Sequence, residues 1–143
     1  MARVKQRAAT AKVAKLERKF GLVILTVHFG VFSHELMVAL GAAESFEKFA
    51  RWEYDDPDYV GPEHARGSFS HRDGRIPVIW LPRYPRTPDD HGTMTHEVFH
   101  AVSHILRDWA QMENNMHTEE AFAHAMGFCV TEILSKMKPN RRK

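Results

Sequence analysis

The sequence predicts an α+β domain in which a short, mostly antiparallel sheet packs on helices. Three observations predict it. Residues 22–29 form an apolar, β-rich run directly after Gly21. Arg72-Asp73-Gly74 separates two extended runs, 68–70 and 76–81, and Asp-Gly in that setting signals a hairpin. Beyond Pro88 come two long stretches, each preceded by helix-start residues. The chain has 143 residues, which fits one domain and suffices to bury a core without disulfides.

Taken in order, residues 3–19 alternate Ala with basic residues, and Val4, Val13 and Leu16 form a thin apolar stripe. This predicts a helix ending at Gly21. Residues 22–29 then read as a buried strand. Residues 33–42 are expected to form a short helix. Residues 44–54 form a better one, with Phe46, Phe49 and Trp52 on one side. Residues 55–67, with Asp55, Asp56, Pro57, Asp58, Gly61, Pro62 and Gly67, have loop composition. After the hairpin, Pro82, Pro85 and Pro88 end the strand pair.

The next helix has a capping residue in Thr87, proline at its first position, and Asp89 and Asp90 at the positive end of its dipole. Gly92 makes Thr93 the alternative start. This helix runs to about Trp109. Residues 111–117 are polar and read as a connecting loop. Thr118 caps a last helix that carries Glu119 and Glu120 in its first turn and extends to about Met137, where Pro139 stops it. There is no internal repeat.

Composition bounds the class. Hydrophobic residues make up 43% and charged residues 27%, as in globular domains. The lone cysteine, Cys129, excludes an intrachain disulfide and fits a reducing compartment. The formal charge of +2 is unevenly spread. Residues 1–19 hold seven Lys or Arg and one Glu, and residues 136–143 hold five and no acid. Between them, eight basic residues face seventeen acidic ones, a net of −9. The expected organisation is a basic helical arm over 1–19, a body over 20–138 and a basic tail over 139–143. Such arms suit nucleic acid or an acidic partner surface. His28 and His34 interrupt the apolar stretch that begins at Leu22, so no signal peptide is expected. No segment reaches transmembrane length, so no membrane association is expected either, and the expected location is cytoplasmic.

The chemistry-bearing pattern is His96-Glu97-Val98-Phe99-His100, an HExxH sequence inside the first of the two late helices. Two His at i and i+4 lie one turn apart on one face and can converge on a single tetrahedral zinc. Glu97 lies about 100° around the helix from His96, placed to reach a water on the metal and act as general base. A catalytic zinc takes three protein ligands and keeps one open position. His104 continues the i, i+4 series but lies eight residues from His96, about 12 Å along the axis. It reads as a surface residue or a hydrogen-bond partner of a ligand. The third ligand is expected from the first turn of the last helix. Glu120 is preferred because Glu120, Ala123 and Gly127 form a stripe of small residues that would let the two helices pack closely. Glu119, whose stripe holds Phe122 and Met126, is the alternative.

Residues 95–100, followed by Thr118-Glu119-Glu120-Ala121-Phe122-Ala123, resemble the gluzincin branch of the zincin metallopeptidases. More narrowly, they are similar to short zincin-like proteins encoded in tailed-phage genomes, and more distantly to ImmA/IrrE-type peptidases. The matching region covers about residues 68–135. The resemblance implies a small zincin-like domain and one zinc per chain, held by His96, His100 and a Glu of the Glu119-Glu120 pair, with Glu97 as base. It also implies an edge strand, from residues 68–81, that binds an extended peptide or protein substrate. Gluzincins often supply a Tyr or His to the oxyanion. His124, Tyr84 and His71 are the candidates here. The expected function is zinc-dependent hydrolysis of a peptide bond. The alternative is a structural or interaction protein of a phage particle that keeps the zinc site, its basic arms contacting neighbouring subunits or nucleic acid in the virion. Glu97 favours the enzyme, since a purely structural site has no need of it.

Overall fold

The computed structural model describes residues 2–30 and 34–137, with side chains described from residue 11 onward. The elements are α1 (Ala2–Phe20), β1 (Val23–Phe29), β2 (His34–Leu40), α2 (Ala43–Tyr54), β3 (Ser68–Ser70), β4 (Val78–Leu81), α3 (Pro88–Ser103) and α4 (Glu119–Lys136). A π-helical segment, His104–Trp109, prolongs α3. The fold is α+β, as the sequence predicts.

The sheet order is β1-β2-β4-β3. β1 pairs antiparallel with β2, β2 parallel with β4, and β3 antiparallel with β4. The hairpin of β3 and β4 turns through Gly74, whose φ of 71° suits glycine. β3 is therefore an edge strand.

Both faces of the sheet are covered, and successive residues of the inner strands alternate between two cores. Leu36, Val38 and Leu40 of β2, with Ile79 and Leu81 of β4, pack with Met94, Val98, Ala101 and Ile105 and with Phe122, Cys129 and Ile133 of α4. Met37, Ala39, Val78 and Trp80 face the other way, onto Leu16, Phe46 and Phe49. The indole N–H of Trp80 donates to the Gly41 carbonyl at 3.0 Å, satisfying its one polar atom.

The structure corrects one element. The short helix expected over 33–42 is the central strand β2. Leu, Met and Ala are good helix formers, and Leu36 to Leu40 has no period-2 polarity to betray a strand. A strand buried on both faces reads as a continuous apolar run, and its neighbours β1 and β4 override its local propensity.

The basic helix is joined to the body at its end. Leu16 is buried in the second core, and the Glu17 carboxylate accepts from the Ile24 N–H at 2.8 Å. Val4 and the 139–143 tail, with Pro139, lie outside the residues whose side chains are described. Among the described residues, no helix is long and apolar enough to cross a membrane.

Candidate functional site

The site begins with how α3 is started. Thr87 Oγ1 accepts from the Asp90 N–H at 3.1 Å, and Asp90 Oδ2 accepts from the Thr87 N–H at 3.2 Å, a reciprocal capping box. The Arg83 guanidinium and the Arg86 N–H also donate to Asp90 and hold its carboxyl well below the usual carboxylate range. Pro88 opens the helix, so Gly92 lies inside it and does not delay its start. A helix fixed this firmly at its N-terminus presents its second and third turns in a defined orientation.

Those turns carry His96 and His100. Their Nε2 atoms are 3.1 Å apart, with the rings 84° from coplanar. Two zinc-bound imidazole nitrogens at about 2.0–2.1 Å in a tetrahedral arrangement stand about 3.3–3.4 Å apart. The pair therefore fits two corners of such a site. Both rings are exposed and reachable.

Glu97 differs sharply from its neighbours. It is 7% exposed, one of two buried polar residues among those described. Burial raises its pKa, against a downward pull from His96 and His100. The cover over it is the backbone at Gly67, just before β3. A Cβ at Gly67 would stand 2.8 Å from Thr93 Cγ2, 3.2 Å from Leu81 Cδ2 and 3.3 Å from Glu97 Cγ. Glycine is thus what lets the edge strand approach α3. Between the two runs a cleft of about 530 Å³, with Glu97 and His100 on one wall and Gly67, Ser68 and Phe69 on the other.

The sequence assigns the third ligand to the first turn of α4, and the structure changes the argument for it. Glu120, Ala123 and Gly127 are all exposed, and nothing lies within 4 Å of a Cβ added at Gly127. That small-residue stripe faces solvent and does not pack on α3. Glu120 Oε2 lies 3.7 Å from His124 Nε2, with both side chains at least 85% exposed. The packed stripe is the one headed by Glu119, which continues through buried Phe122 and half-buried Met126. Bulk at a helix contact is filled by facing side chains, so large residues mark the packed face. Glu119 itself is exposed. Among the described residues, no group of three or more His, Cys, Asp and Glu side chains is gathered to hold a metal.

Of the oxyanion candidates, only His71 lines the cleft. Tyr84 packs against the first core, and His124 is on the solvent side of α4. Beside His71 and His104, the cleft contains Ser103, Arg107 and Asp108, which sequence reasoning passed over. His71 stacks on His104 with ring centroids 4.1 Å apart, and His104 Nδ1 is 2.8 Å from Asp108 Oδ2. Ser103 and Arg107 continue this wall. The i, i+4 spacing of His104 and Asp108 was a legible signal, whereas the approach of His71 from the hairpin was not.

Comparisons with protein-family models, curated proteins and solved structures return no match to this chain.

Proposed function

We propose that this protein is a zinc-dependent peptidase of gluzincin type, with His96, His100 and a Glu from the first turn of α4 holding the metal. The observation that carries the proposal is the convergence of the two Nε2 atoms, 3.1 Å apart, next to the buried Glu97, which with His100 lines a cleft walled by an edge strand. Bound zinc would supply Lewis-acid activation of water and of the scissile carbonyl. Glu97 takes the proton of the attacking water at its carboxylate and passes it to the leaving nitrogen. Its raised pKa suits both halves of that task, because a base that must later act as an acid works best with a pKa nearer neutrality. The open edge of β3 aligns an extended peptide by main-chain hydrogen bonds. His71 is the oxyanion donor the cleft offers. Glu119 heads the packed stripe of α4, so it is our first choice as third ligand, ahead of Glu120.

The test is hydrolysis of a mixed peptide library by zinc-loaded protein. Cleavage by the wild type and none by Glu97→Gln supports the reading, and a wild type that cleaves nothing counts against it. One observation favours the second reading, a particle component with a structural metal. Lys12, Lys15, Arg18 and Lys19 are all exposed on α1, whose described side chains pack on the body through Val13, Leu16 and Phe20. Zinc retained with no hydrolysis, together with salt-sensitive nucleic-acid binding, would favour that reading.

A further inference from the structure

The cleft does not end at His100. It continues along the same helix stripe through Ser103, His104, Arg107 and Asp108, with Ser68 and His71 on the facing wall. Resting on the peptidase reading, we propose that this far end is a subsite for a carboxylate, with Arg107 as the group that binds it.

Three features of the structure carry this. Among the described residues Arg107 makes no ion pair, although an acidic neighbour, Asp108, follows it directly. The Asp108 carboxylate is engaged by His104 Nδ1 at 2.8 Å. The guanidinium therefore keeps its planar fork of donors for a ligand, and that fork matches a carboxylate in bidentate fashion. Next, Ser103 is 5% exposed, and its Oγ has no hydrogen-bond partner. An unsatisfied buried hydroxyl on the wall of a cleft is costly in the empty protein, and a polar ligand relieves that cost after a turn about χ1. Finally, the segment that carries Arg107 is π-helical, with the Ala110 N–H bonded to the Ile105 carbonyl five residues back. Such wide turns re-aim side chains and recur at functional sites.

Spacing makes the proposal quantitative. Arg107 follows His100 by seven residues, about 10 Å along the helix axis. An extended peptide advances about 3.3 Å per residue, so the carboxylate belongs about three residues from the bond placed at His100. An acidic side chain and a free C-terminus offer the same chemistry, and the probe set separates them.

The probes are eight-residue alanine-based peptides, acetylated and amidated, with one Glu moved through every position. Controls carry Gln in the same places, and a further set of Gln peptides has a free C-terminal carboxylate. Binding is measured by calorimetry to full-length Glu97→Gln protein, and to the same protein with Arg107→Gln. In parallel, wild-type protein is tested for cleavage of each peptide. One Glu register should bind about tenfold or more tighter than its Gln control, and Arg107→Gln should abolish the difference. Arg107→Lys should restore part of it. If only the uncapped peptides show the effect, the bound carboxylate is a chain terminus and the subsite stands. Cleavage of the peptides without any Glu preference overturns the subsite and leaves the peptidase reading intact. An Arg107-dependent preference without cleavage overturns the peptidase reading and leaves the subsite. Absence of binding by every peptide overturns the subsite. Arg107 is exposed, so its variants should melt as the parent does, and a matched thermal melt checks that the binding result is local.

Discussion

The Nε2 atoms of His96 and His100 face each other at 3.1 Å across one turn of α3. Two neutral imidazoles can share a proton at that distance, and a tetrahedral metal can take both. The first prediction separates these. Protein loaded with zinc and dialysed should hold about one ion per chain by elemental analysis, and His100→Ala should reduce this to about a tenth or less. Equal metal in the two proteins would show that the contact is only a hydrogen bond. Glu119→Ala should lose most of the metal while Glu120→Ala keeps it, because only Glu119 heads the stripe of α4 that packs inward.

Glu97→Gln should retain zinc and lower hydrolysis by roughly 10²–10⁴-fold, the usual worth of a general base. It should also change the stability of the zinc-free protein in a pH-dependent way. Burial raises the Glu97 pKa, so the folded protein holds that proton more tightly than the unfolded chain does. The resulting stabilisation is complete below the unfolded pKa and is lost as pH rises through the folded one. Glu97→Gln cannot ionise, so it should melt higher than wild type at pH 7, with the gap closing below about pH 4. A constant gap across that range would mean that the carboxyl is not perturbed by its surroundings.

Gly67→Ala should push β3 away from α3. The added methyl would meet Thr93 Cγ2 at 2.8 Å, and overpacking of this kind costs about 1–3 kcal/mol. Peptide hydrolysis should fall further than stability does, since the strand that moves is a wall of the cleft. Thr93→Ser removes the clashing methyl, and the double variant should recover activity. Failure of that rescue would place the defect elsewhere.

The Cys129 thiol should be inert in the native protein. Burial pushes its pKa up to about 12, so almost no thiolate exists at pH 8. Iodoacetamide should leave native protein unlabelled and label it fully in denaturant. Native labelling on the same timescale would show that α4 opens.

Deleting residues 1–11 should leave the melting temperature nearly unchanged, because Leu16, Val13 and Phe20 remain to pack on the body. Three of the arm's basic residues leave with the cut. If the arm serves nucleic acid, DNA binding by the full chain should weaken steeply with salt, and the cut should flatten that slope. Identical gel shifts for the two proteins across a salt series would remove the arm from the binding surface.

Much of this protein is decided locally and could be read directly. The reciprocal Thr87–Asp90 cap, the Asp-Gly hairpin with Gly74 at positive φ, and the one-turn spacing of His96 and His100 depend on residues within four positions of one another. Short-range chemistry of this kind survives any tertiary context that tolerates the helix or turn.

What only the tertiary structure decided involves partners distant in sequence. β2 is a strand because β1 and β4 flank it, and nothing in its own composition says so. Which of Glu119 and Glu120 heads the packed face of α4 depends on what α4 meets. Small residues permit close packing without requiring it, and here Ala123 and Gly127 are left to solvent while Phe122 fills the core. The approach of Gly67 to Thr93 and of His71 to His104 joins residues more than twenty-five positions apart across a sheet edge and a helix. Such pairs are selected by the burial of the whole apolar surface, a sum over every element at once. The sequence therefore determined the HExxH turn and its caps, and the packing of the sheet on α3 determined the cleft in which that turn can act.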